Sequence, residues 1–110
     1  MSLNALITST LKPIGIPVSF MKYLGSATSY ITFFEYNQMG TKFADNEEVQ
    51  TKHSIQVDCW SDSNQEQTVN KVKSLMKQAG FSRTYETDLY EDNTNTYHKV
   101  IRFSYSSTPE

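Results

Sequence analysis

Gln50-Thr51-Lys52-His53-Ser54-Ile55-Gln56-Val57-Asp58-Cys59-Trp60 alternates without a break. His53, Ile55, Val57 and Cys59 share one face; Lys52, Ser54, Gln56, Asp58 and Trp60 share the other. Successive side chains of a strand point to opposite faces, so this run predicts a strand with one core face and one wetter face. Just after it, Ser63-Asn64-Gln65-Glu66 has the serine-x-x-glutamate form of a capping box. Val69, Val72, Leu75, Met76 and Ala79 then recur on one helical stripe. Lys71, Lys73 and Lys77 lie off that stripe, toward the end where cations suit the helix dipole. Gly80 follows as a natural stop.

Working outward, Phe81–Tyr90 and Thr96–Ser106 predict two more strands. In the first, Phe81, Arg83, Tyr85, Thr87 and Leu89 fall on one face. In the second, Tyr97, Lys99, Ile101, Phe103 and Tyr105 oppose His98, Val100, Arg102 and Ser104. Glu91–Asn95 between them is a polar turn of hairpin length. Upstream, Ser29–Tyr36 is rich in β-branched and aromatic residues and predicts another strand. Asn37–Glu48, which links it to the alternating run, is expected as a long loop in which Met39 and Phe43 are unusual apolar passengers. Gly25–Thr28 reads as a turn. Pro13–Val18, with two prolines and a glycine, reads as a packed extended connector. Leu3, Leu6, Ile7 and Leu11 form one stripe of a short helix that Ser2 can cap and that stops before Pro13, which biases Lys12 out of it. The expected fold is α+β in the order α-β-β-α-β-β, a mostly antiparallel sheet with both helices packed on one face.

With 110 residues the chain has the length of one domain, residues 1–110. Its 13% aromatic content supplies large buried area per residue, so a compact core is feasible. Cys59 is the only cysteine, so neither an internal disulfide nor a cysteine-based zinc cluster can be built, and a reducing compartment is expected. No run approaches the roughly 20 apolar residues of a membrane span, and the N-terminus lacks the features of a secretory signal. Ten basic residues against twelve acidic ones provide no field for nucleic acid or anionic lipid.

No glycine-rich phosphate loop, nucleophile elbow or metalloprotease motif is present, and no catalytic, cofactor-binding or metal-ligating residue is assigned. His53 and His98 could pair with Asp58, Asp88 or a carboxylate of a second chain, but they lack a short ligand spacing and read as structural or surface residues. A hydrolase built on His98 with Asp88 or Asp92 ranks last. Cys59 continues the Ile55–Val57 face, which makes it a buried, inert thiol. Glu86, Asp88, Glu91 and Asp92 crowd the last hairpin, where polar turn residues stay solvated. Lys71, Lys73, Lys77 and Arg83 read as a solvated face.

The informative feature is a surplus of aromatic residues. Ile31 and Phe33 fall on one face of their strand; Tyr30, Phe34 and Tyr36 fall on the other, and Trp60 lies opposite Ile55 and Val57. Two helices of this size cover one sheet face, so the surplus needs either a curled chain or a protein partner. Tyr30, Phe34, Tyr36, Met39, Phe43 and Trp60 are the candidate interface residues.

Several segments carry a family resemblance. Gly15-Ile16-Pro17-Val18 followed by Tyr30-Ile31-Thr32-Phe33-Phe34-Glu35-Tyr36-Asn37 resembles the start of small structural proteins of phages and prophages of Gram-positive bacteria. The likeness continues through Ala44-Asp45-Asn46-Glu47, Ile55-Gln56-Val57-Asp58-Cys59-Trp60-Ser61 and Ala79-Gly80-Phe81. It ends with Asp88-Leu89-Tyr90-Glu91 and Tyr97-His98-Lys99-Val100-Ile101-Arg102-Phe103. These proteins resemble the tail-completion, or tail-terminator and head–tail joining, components of long-tailed phages. The resemblance implies a small α/β subunit without catalytic centre or cofactor. It implies a homo-oligomeric ring, commonly hexameric, whose partners are tail-tube and head-connector proteins. It further implies assembly in the bacterial cytoplasm and a final place in the virion tail or neck, with no membrane and no specific nucleic acid as partner. The competing class is a small ligand- or nucleic-acid-binding α+β module, which would be a stable monomer with a saturable ligand.

Overall fold

The computed structural model describes residues 2–108. Its elements follow the order α1 (Leu3–Leu11), β1 (Val18–Phe20), β2 (Ser29–Ala44), β3 (Glu47–Ser61), α2 (Glu66–Gln78), β4 (Ser82–Glu91) and β5 (Thr96–Ser107). The five strands form one sheet in the order β1-β2-β3-β5-β4, antiparallel except for the β1–β2 pair. The α+β arrangement expected from the sequence is therefore the one observed, with one strand added.

That added strand lies in the connector Pro13–Val18 and just beyond it. Val18, Ser19 and Phe20 pair in parallel with Ile31, Thr32 and Phe33. Three residues with no periodicity give no strand signal on their own; the exposed edge of β2 supplies the pairing. The helix before it keeps its predicted start, since Ser2 Oγ accepts the Ala5 N–H at 3.1 Å. Lys12 stays right-handed (φ −53°, ψ −40°), contrary to the bias expected before proline. Pro13 lies in the first turn of a short 3₁₀ segment, Lys12–Ile14, where a missing N–H is tolerated.

The largest departure concerns Asn37–Glu48. It is not a loop. β2 and β3 continue through it as a hairpin arm, backed by β5 as far as Thr51 and two-stranded beyond, closed by Asp45-Asn46, both at positive φ (51° and 66°). That pair of left-handed residues suits the twist of a hairpin, and Asp and Asn tolerate it better than other non-glycine residues. Residues 41–49 of the arm are all exposed, so they never needed to alternate. Register shifts at Tyr36 and around Thr41 further break the parity. The molecule is elongated in consequence, 53 × 24 × 24 Å.

The core lies between the helices and one face of the sheet. Ile7 and Leu11 of α1 and Val69, Val72 and Met76 of α2 meet Ile31, Phe33, Ile55, Val57, Cys59, Ile101 and Phe103. The alternation in β3 and β5 is thus reproduced. In β4 it is interrupted: Arg83 pairs with Phe103, but Tyr85 pairs with Arg102, so a bulge at Thr84 moves Tyr85, Thr87 and Leu89 to the opposite face from Phe81 and Arg83. The expected capping box is also absent. α2 begins at Glu66, whose N–H is accepted by Asn64 Oδ1 at 2.9 Å, while the Ser63 N–H is directed to Ser61 Oγ. Gln65 Nε2 donates instead to the Cys59 carbonyl at 2.9 Å, pinning the helix start to the end of β3. Gly80 at φ 98° ends the helix as expected.

Phe103, fully buried between Ile55 on β3 and Arg83 on β4, should lose about 3–5 kcal/mol of stability on replacement by alanine. Phe43→Ala, at the exposed end of the arm, should change it by less than about 0.5 kcal/mol. Urea unfolding of the two variants measures the contrast.

Candidate assembly surfaces

Opposite the helices, the sheet presents three cross-strand rows in register. Tyr30, Trp60, His98 and Leu89 form the first; Thr32, Asp58, Val100 and Thr87 the second; Phe34, Gln56, Arg102 and Tyr85 the third. Among the described residues, no helix lies over this face. Its aromatic groups cover one another instead. Tyr23 stacks on Tyr30 at 4.5 Å between ring centroids, Tyr30 on Trp60 at 6.0 Å, and Trp60 on His98 at 3.7 Å. Such contacts fix a flat aromatic ridge across three strands.

Beneath the ridge runs a polar chain. His98 Nε2 lies 2.7 Å from Asp58 Oδ1, and Gln56 Nε2 donates to the same oxygen at 2.9 Å. Arg102 Nε donates to Gln56 Oε1 at 3.1 Å, and its guanidinium lies 4.8 Å from the Tyr36 ring and 5.4 Å from the Tyr85 ring. Trp60 Nε1 donates to Thr32 Oγ1 at 3.1 Å. Asp58 and His98, only 4% and 9% exposed, are thus held by partners rather than aimed at solvent, and no buried side-chain polar atom among the described residues lacks a hydrogen bond. A fully satisfied network of this kind makes the face rigid.

Of the six candidate interface residues, Tyr30, Phe34, Tyr36 and Trp60 come together on this open face. Met39 and Phe43 do not; they lie out on the arm, 51% and 64% exposed, opposite Lys52 and Glu48 respectively. The Phe43 ring and the Glu48 carboxylate lie over Gly40, whose missing Cβ leaves room for them. Tyr23, Tyr85, Leu89 and Arg102 belong to the open face as well. The sequence hides two of these, since the Thr84 bulge that turns Tyr85 and Leu89 over leaves no mark in the pattern.

The pairing imagined for a hydrolase does not form: His98 meets Asp58 and, at 3.4 Å, Glu91, rather than Asp88 or Asp92. His53 bonds to Glu35 and to Ser107. Glu86 joins Lys73, Lys99 and Arg83, and hydrogen bonding from Lys99 and Lys73 holds its carboxyl below the usual range against the opposing effect of burial. Burial pushes the Cys59 thiol up to about 12, with the Asp58 charge adding to it, so the thiolate is not accessible at neutral pH. No set of three or more metal-ligating side chains occurs among the described residues, and no helix there is long and apolar enough to cross a membrane.

The His98 network has a pH signature. Burial alone would push the imidazole down, but the hydrogen bond and charge of Asp58, with Glu91 behind it, outweigh burial and raise it above 6.5. A raised folded value means that the stabilisation is fully present below the unfolded value and disappears as pH rises through the folded one. His98→Gln should therefore be less stable than the wild-type chain in mildly acidic solution, and the difference should shrink above neutrality. Thermal unfolding across that range checks it; a difference independent of pH would show that His98 carries no charge in this network.

No protein-family model matches the sequence, and no curated protein matches it. Among solved structures, the chain is similar to a protein in the virion of a native gene transfer agent particle. The two share 12% sequence identity and a TM-score of 0.69 over 98% of this chain and 96% of the other. At that identity the likeness shows a common fold, spanning nearly the whole of both chains.

Proposed function

We propose that the chain is a non-enzymatic structural subunit of a phage or phage-like particle. In this reading it is a tail-completion component that closes the tail tube and joins it to the head as a ring of identical copies, commonly six. The observation that carries the reading is the end-to-end correspondence of the fold with a chain of a gene transfer agent virion. It agrees with the family resemblance of the segments from Gly15 to Phe103. The surfaces support it further. A ring subunit needs two different patches that meet head to tail, and this fold offers a rigid aromatic face and a projecting arm. Tail-tube and head-connector proteins are the partners this role implies. The chain would assemble in the bacterial cytoplasm and end in the tail or neck of the particle.

On this reading Met39 and Phe43 serve contact rather than folding, because both stay more than half exposed. Met39→Ser combined with Phe43→Ser should leave far-UV circular dichroism and unfolding unchanged while weakening self-association, as measured by sedimentation velocity. An oligomer of unchanged mass and stability would contradict the role given to the arm.

A further inference from the structure

Two groups of charges left without an intramolecular ion pair among the described residues are opposite in sign. Asp45, Glu47 and Glu48 crowd the tip of the arm, all exposed and outnumbering Lys42 there, and among the described residues no ion pair reaches any of the four. On α2 the reverse holds. Beyond Glu66 in its first turn the helix has no carboxylate, and its exposed face includes Lys71, Ser74, Lys77 and Gln78. Lys73 is held by Glu86, but among the described residues no anion pairs with Lys71 or Lys77.

Within one chain these two patches do not meet. The register aligns Ser82, just after α2, with Ser104 and Ser54. From Ser54 to Glu47 the arm continues for seven residues, roughly 23 Å at strand rise. α2 packs on α1, on the 3₁₀ turn and on β4. The acidic tip also presents the exposed Phe43 ring, and lysine stems offer an apolar surface on which such a ring can lie.

We propose that the tip of the arm docks on the α2 face of the next copy of this chain, with Asp45, Glu47 and Glu48 against Lys71 and Lys77 and Phe43 against the lysine stems. The two patches differ, so the contact is heterologous and repeats from copy to copy until the ring closes. This inference deepens the assembly reading and rests on it.

Charge reversal tests it, read by native mass spectrometry and by sedimentation, with purified tail tubes present and absent. Lys71→Glu with Lys77→Glu, or Glu47→Lys with Glu48→Lys, should each weaken association at least about tenfold, since like charges then face each other. All four reversals in one chain should restore assembly, and so should an equal mixture of the two reversed chains. Wild-type oligomers indifferent to either reversal would overturn the contact while leaving the assembly reading intact. Reversed chains that fold normally by circular dichroism but do not assemble when mixed would overturn the contact as well. A wild-type chain that stays monomeric even with tubes present would overturn the assembly reading, and this contact with it.

Discussion

β3 pairs along its length with β2 and from Thr51 onward with β5, and the two faces of this one strand set the conditions for everything else. Ile55, Val57 and Cys59 are fully buried beneath the helices. Gln56, Asp58 and Trp60, alternating with them, cannot reach that core, so they are left to find partners on the other side. They do so laterally, through His98, Arg102 and Thr32 on the neighbouring strands. The period of a strand thus forces a two-layer core and a separate polar and aromatic layer from the same eleven residues. The same strand, extended to Glu47, supplies half of the arm.

This division explains what could be read from the residues and what could not. Wherever helices cover the sheet, burial imposes a pattern: the stripe of α2, the alternation of β3 and the two faces of β5 are all visible in the sequence. Where no core lies beneath, the pattern disappears. Asn37–Glu48 looks like a loop because an arm exposed on both sides has no reason to alternate, and only the Asp45-Asn46 turn hints at a hairpin. Val18–Phe20 is a strand because β2 offers an edge, a cause that lies outside its own three residues. Bulges at Tyr36 and Thr84 shift side chains from one face to the other without altering composition. Capping was misleading for a related reason: Gln65 is used to fasten α2 to the end of β3, and the helix starts where that bond allows.

The candidate surfaces divide in the same way. The aromatic surplus around Tyr30, Phe34 and Trp60 was legible because strand parity places those residues away from Ile31, Phe33 and Val57. That Met39 and Phe43 lie on a separate projection was not, since it depends on the arm being a hairpin. Nor was the polar chain from Glu91 to Arg102 legible as a chain, because it runs across three strands whose register the sequence does not contain. The result is a chain with a stiff face and a reaching arm, whose core cysteine is not reactive. Cys59, the one residue there with nucleophilic chemistry, is held as a neutral thiol.

The most direct test is where the chain binds on a tail tube. Purified tubes incubated with the tagged chain and imaged by cryo-electron microscopy should carry it at one end only, as a closed ring whose arms bridge adjacent copies. Tubes that remain bare, or that bind the chain along their whole length, would contradict the tail-completion account.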